Sequence, residues 1–135
     1  MSRKSARDSA FKIIYQVPFH EDDNVQLTLE NFEHSDEYSK LNPQDIEYVN
    51  TCVKACYDNL NDIDGKISAS LKNWTIDRIS KVNLSILRLA VSEMEYADVP
   101  YQVSINEAVE LAKKYSDDEA PSFINGVLAE IKQIR

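Results

Sequence analysis

Glycine is nearly missing from this chain: Gly65 and Gly126 are the only two in 135 residues, where average usage of about 7% would supply about nine. A Gly-rich phosphate loop, a dinucleotide fingerprint and the tight turns of a β-sandwich or barrel all need more. Cysteine is equally sparse, with Cys52 and Cys56 alone. Their i, i+4 spacing puts both on one helical face as buried thiols acting as small hydrophobes, and reduced thiols suit a cytoplasmic protein. Two histidines, His20 and His34, without a CxxC pair argue against structural zinc. No Glu-x-x-His spacing favours a carboxylate-bound metal in a helical bundle. Neither histidine sits in a triad context, so an enzyme is the weakest reading and no cofactor is expected. No apolar run approaches the roughly 18–20 residues of a membrane helix, and no signal-peptide pattern opens the chain.

What is present is helical periodicity. Ala6, Ala10, Ile13, Ile14 and Val17 line one face of a first helix ending at Pro18. Val25, Leu29 and Phe32 mark a shorter one. Asn42-Pro43 reads as an N-cap followed by proline at the first helical position, ahead of Ile46, Val49, Val53, Cys56 and Leu60. Asp62 and Thr75 are placed to cap the next two helices, with a break near Val82–Asn83. Ser104-Ile105-Asn106-Glu107 reads as a capping box. Asp117-Asp118-Glu119 precedes a last helix through Phe123, Val127 and Ile131, where negative charge complements the dipole. Asn125-Gly126, a hairpin signal elsewhere, falls at helical spacing and suggests two helix backbones in close approach. Period-2 alternation is absent. The expectation is an all-α fold of about seven helices, with a soft boundary near Asn59–Asp62.

The formal charge of −8 hides an asymmetry. Residues 1–20 hold Arg3, Lys4, Arg7 and Lys12 against Asp8 alone, which is +3. Residues 21–70 carry −9 and residues 71–135 carry −2. Arg3 and Arg7 share a helical face, and Tyr15 lies two turns further along. Basic groups beside an aromatic ring form a plausible footprint for single-stranded RNA. The alternative is a solvated terminus whose tyrosine packs into the core. The acidic stretches Glu21-Asp22-Asp23 and Asp36-Glu37 read as solvated loop.

Four segments, in this order, resemble the NusB family of transcription antitermination factors: Arg7-Asp8-Ser9-Ala10-Phe11 through Tyr15-Gln16, Leu71-Lys72-Asn73-Trp74-Thr75-Ile76-Asp77-Arg78-Ile79 with Ile86-Leu87-Arg88-Leu89-Ala90, Val99-Pro100-Tyr101 through Lys113, and Phe123-Ile124-Asn125-Gly126-Val127-Leu128. The resemblance covers nearly the whole chain and is weakest over residues 18–42. It implies two packed helical subdomains, residues 1–60 and 61–135. It implies an RNA-binding factor that pairs with NusE, a small-subunit ribosomal protein, binds single-stranded boxA RNA and helps RNA polymerase read through terminators, notably in ribosomal RNA operons. By position, the RNA-facing residues it implies are Arg3, Lys4, Arg7, Tyr15, Glu119 and Phe123. The implied partner surface is Asp77, Arg78, Lys81 and Asn83.

Two departures stand out. The basic run is thinner than the arginine cluster of many members, which implies weak intrinsic RNA affinity, and Asn83 stands where an acidic residue is common. Trp74 reads either as a wedge between helices or as a partner anchor, and Phe123 either as core or as a stacking ring. Arg88 reads as a rim ion pair with Glu107. A purely protein-binding helical module is the alternative function. Whether the free protein is a monomer or a homodimer stays open.

Overall fold

The computed structural model describes residues 2–16, 25–72 and 75–134. The expectations for Val17, Pro18, His20, Glu21–Asp23 and Trp74 lie outside them. Eight α-helices and one 3-10 turn appear among the described residues: α1 (Ser2–Tyr15), α2 (Val25–Glu33), α3 (Asp36–Ser39), α4 (Pro43–Asp58), α5 (Leu60–Ala69), η1 (Ile76–Arg78), α6 (Lys81–Tyr96), α7 (Tyr101–Tyr115) and α8 (Ala120–Ile134). No strand occurs among them. The all-α expectation holds, with the four-residue α3 added to the helices read from periodicity.

Local chemistry sets several of these boundaries. Asn42 Oδ1 accepts the Asp45 backbone N–H at 2.8 Å, with Pro43 opening α4. Ser80 Oγ accepts the Asn83 N–H at 3.1 Å and starts α6. Asp117 Oδ1 accepts the N–H groups of Glu119 and Ala120 at 3.1 and 3.0 Å, ahead of α8. Each satisfies donors that a helix start leaves without intrahelical partners.

Four readings are corrected. Thr75 opens only the single turn η1 and makes no side-chain cap, so the break falls at Ile79–Ser80 rather than Val82–Asn83. Asp62 lies in the first turn of α5, and Asn59 precedes it. The Ser104–Glu107 capping box does not form. Pro100, which has no N–H to leave unsatisfied, precedes α7 and its carbonyl accepts the Ser104 N–H at 3.0 Å. Ser104 is therefore inside the helix and buried, and its hydroxyl turns to a carboxylate instead. Finally, Gly126 is exposed in mid-α8, and a Cβ built there meets nothing within 4 Å, so no helix backbone approaches it.

α6 is the central helix. Its residues Ser85–Met94 are all buried, as expected for a helix covered on every side, and it packs against α1, α4, α5, α7 and α8. One continuous apolar cluster joins Ala6, Ala10 and Ile14 of α1 to Val49 and Val53 of α4, Leu87 of α6 and Leu128 of α8. Cys52 and Cys56 belong to it as free thiols. Burial pushes them up to about 12 and about 11, so both stay protonated at neutral pH.

A polar cluster crosses this core. Glu93 of α6, 1% exposed, receives Arg7 Nε of α1 on Oε2 at 2.8 Å, the Tyr48 hydroxyl of α4 on the same oxygen, and Ser104 Oγ of α7 on Oε1 at 2.8 Å. Burial pulls the Arg7 pKa down, but the charge and hydrogen bond of Glu93 outweigh it and the net direction is up. Glu93 also accepts the Ala97 and Val99 N–H groups on its backbone carbonyl, both at 3.2 Å, where Asp98 turns the chain with φ 54°. Arg88 pairs with Asp64 of α5, Nε to Oδ1 at 2.9 Å and Nη2 to Oδ2 at 2.8 Å. This corrects the expected Glu107 partner, whose carboxylate turns to α1 and lies 3.4 Å from Lys4 and 3.9 Å from Arg7.

Removing one partner of a buried, hydrogen-bonded charge pair costs about 3–5 kcal/mol. Arg7→Leu is expected to lower the unfolding free energy by that amount in urea titration, and a loss below about 1 kcal/mol would contradict the account. Gly126→Ala is expected to raise stability by about 1 kcal/mol, since the methyl has room and alanine favours the helix. A thermal melt that falls instead would show a constraint on Gly126 that its open surroundings do not reveal.

Candidate nucleic-acid interface

The basic residues of α1 are placed unequally. Arg7 is buried on Glu93, with 7% side-chain exposure, and so does not share an exposed face with Arg3. Arg3 is half-exposed, with Nε on Asp45 Oδ1 at 2.8 Å and its guanidinium 4.5 Å from the Tyr48 ring centroid. Lys4 is exposed and reaches Glu107 at 3.4 Å. Lys12 lies 2.9 Å from Glu37 of α3 and 3.6 Å from Asp8. The hydrogen bond to Glu37 is the main reason the Lys12 pKa is raised.

The aromatic end of α1 forms a groove of about 350 Å³ lined by Phe11, Lys12, Tyr15, Gln16, Val82 and Tyr115. Phe11 stacks on Tyr115 with centroids 4.8 Å apart, and Tyr15 lies 6.2 Å from Phe11. The Tyr115 hydroxyl donates to Asp8, 2.7 Å from each carboxylate oxygen, and Lys114 Nζ reaches Oδ1 at 3.0 Å. Burial works against ionising Asp8, but these donors outweigh it and hold its carboxyl below the usual range. Phe11 is buried, so the groove offers the partly exposed rings of Tyr15 and Tyr115 beside Lys12, residue types that can stack bases and meet phosphates.

A second groove, of about 390 Å³, is lined by residues that include Arg78, Ser80, Asn83, Asp117, Glu119 and Phe123. It brings Glu119 and Phe123, singled out for RNA, together with Arg78 and Asn83, singled out for a partner. Asn83 Oδ1 accepts the Ser116 hydroxyl at 2.7 Å, which ties the start of α6 to the end of α7. Phe123 is half-buried and packs on the core with part of its ring in the groove. Asp77 and Lys81 are exposed beside it without lining it. Val82 lines the first groove and Asn83 the second, so the two lie on either side of the first turn of α6.

Sequence reasoning missed Phe11 and Tyr115 as groove residues, and Lys114 as the partner of Asp8 beside them. Their contacts run between α1 and α7, more than a hundred residues apart, and no spacing rule reaches that far. The one local signal was Tyr115 following Lys113-Lys114 at a helix end. No cluster of three or more potential metal ligands occurs among the described residues, and no helix there is long and apolar enough to cross a membrane.

The sequence matches the model of the NusB family over residues 4–133. A transcription antitermination protein NusB of Acetivibrio thermocellus is 43% identical over 139 residues, spanning 100% of this chain and 91% of its own. The protein of the same name from Natranaerobius thermophilus is 44% identical over 132 residues, spanning 97% and 94%. Among solved structures, T. maritima NusB superposes with a TM-score of 0.86 at 31% identity, over 98% of this chain and 92% of that one. A structure of antitermination factors NusB and NusE in complex with dsRNA gives a TM-score of 0.84 at 30% identity, over 98% and 97%. With its family segments matched almost end to end and its fold shared with solved members, this chain belongs to the NusB family.

Proposed function

We propose that this protein is a non-enzymatic, cytoplasmic transcription antitermination factor that binds boxA RNA together with NusE and promotes read-through by RNA polymerase, notably in ribosomal RNA operons. The observation that carries the proposal is the full-length likeness to a NusB solved with NusE and dsRNA. Two adjoining grooves supply the chemistry. In this reading residues 1–60 contribute Arg3, Lys4 and Tyr15 to the RNA surface, and residues 61–135 contribute Glu119 and Phe123. Asp77, Arg78, Lys81 and Asn83 face NusE. Arg7 acts from inside, fixing α1 through Glu93 rather than touching phosphate.

The rings of Tyr15 and Phe123 stack bases and the carboxylate of Glu119 accepts base amino groups, whereas the lysines meet phosphates without regard to sequence. A ring stacked on a base contributes about 1–3 kcal/mol. Tyr15→Ala and Phe123→Ala are each expected to weaken boxA binding by that amount in gel-shift titrations, while Tyr15→Phe retains most of it. Adding NusE is expected to tighten wild-type binding. An affinity for boxA RNA that ignores both alanine variants, or no binding with or without NusE, would favour the protein-only helical module instead.

A further inference from the structure

Each of the four basic residues of α1 is held by a carboxylate from a different helix. Asp45 of α4 takes Arg3, Glu107 of α7 takes Lys4, Glu93 of α6 takes Arg7 and Glu37 of α3 takes Lys12. Only Arg7–Glu93 is interior on both sides; in the Arg3–Asp45 pair the acid is inaccessible while Arg3 stays half-exposed. The other two are open to solvent. The side chains of Lys12 and Glu37 are 47% and 48% exposed, and that of Lys4 is 74% exposed against 25% for Glu107. The lysines that could meet a phosphate are therefore already facing anions at 2.9 and 3.4 Å, and Lys12 has Asp8 at 3.6 Å as well.

We propose that Glu37 and Glu107 are built-in competitors of RNA: they occupy Lys12 and Lys4 as phosphate would, and must be displaced before either lysine contacts the nucleic acid. The proposal rests on the RNA-binding reading above and adds a brake to it. Exposed ion pairs are weak enough for a polyanion to displace, so the brake lowers affinity without closing the site. It acts on sequence-independent phosphate contacts and leaves the stacking at Tyr15 and Phe123 untouched. Binding then depends more on base contacts and on a partner than the +3 of the first twenty residues suggests.

The experiment measures fluorescence anisotropy of labelled single-stranded boxA RNA with the full chain, with and without NusE, across a salt series. Wild type is compared with Glu37→Gln, the double variant Glu37→Gln/Glu107→Gln, and Glu33→Gln. The last is a charge control: Glu33 is exposed at the end of α2 and pairs with no described base of α1. Circular dichroism checks that each is folded, and Glu37, at an exposed surface pair, keeps the test independent of any effect of Glu107 on packing.

Expected is a gain of up to about fivefold at low salt for each competing carboxylate removed, with Lys12 keeping only its longer contact to Asp8 at 3.6 Å. The slope of log K against log salt should steepen by about 0.7 per freed lysine, because each new phosphate contact releases counterions. Glu33→Gln should leave the slope unchanged. If Glu37→Gln matches wild type, or Glu33→Gln matches Glu37→Gln, the competitor assignment is overturned while RNA binding stands. If no protein binds the RNA under any condition, the reading beneath it fails.

Discussion

The Glu93 carboxylate is the constraint on which the rest of the arrangement depends. It sits near the C-terminal end of the most buried helix and receives donors from α1, α4 and α7. A buried carboxylate without partners would cost several kcal/mol, so those three helices are held to positions that deliver a guanidinium, a phenol and a hydroxyl to one place. Apolar packing alone tolerates sliding of one ridge past another. Directed hydrogen bonds to two oxygens do not. The cluster therefore selects one mutual register for four helices that the hydrophobic core would hold together less specifically.

The same constraint explains why the charge of the first helix does not act as its sequence suggests. Arg7 lies on the inward face with Ala6, Ala10 and Ile14, and only a buried acid makes that position tolerable. Once Arg7 is drawn inward, Arg3 is carried over the Tyr48 ring toward Asp45, and Lys4 toward Glu107. The basic head is thus a row of pairs spread over four helices. On a chain of net charge −8, each lysine of α1 faces an acid at a fixed, local position.

These facts mark where the sequence was legible. Periodicity located most of the helices because they bury one face, though α6 is covered on every side and α3 buries none, and Asn42-Pro43 located a boundary because its chemistry is contained within four residues. Ser104–Glu107 failed for the opposite reason. Its residues suit a cap, but Glu93 lies eleven positions away and binds the Ser104 hydroxyl more usefully. Arg88 was correctly read as an ion-paired arginine and given the wrong acid, since nothing in a linear pattern separates Asp64 from Glu107. The residues singled out for RNA and for a partner were not legible as neighbours: Glu119 and Phe123 line one groove with Arg78 and Asn83. What could not be read was the burial of Arg7 and the recruitment of Phe11 and Tyr115, because both depend on contacts between the two ends of the chain.

The distance between the cluster and the grooves gives the cluster its functional meaning. Arg7 and Tyr15 are eight residues apart on α1, Glu93 and Val82 eleven on α6, and Ser104 and Tyr115 eleven on α7. At about 1.5 Å per residue these are separations of roughly 12, 16 and 16 Å along three helices. All three are pinned near Glu93, and all three place a residue in the same aromatic groove at their other ends. A helix over so short a span behaves as a stiff rod, so the register fixed at Glu93 is carried to Tyr15, Val82 and Tyr115. The rings are then positioned by a buried ion pair that solvent and salt barely reach. In the proposed reading, the exposed lysine–carboxylate pairs, of which Lys12 alone lines the aromatic groove, exchange with polyanions without disturbing the stacking surface.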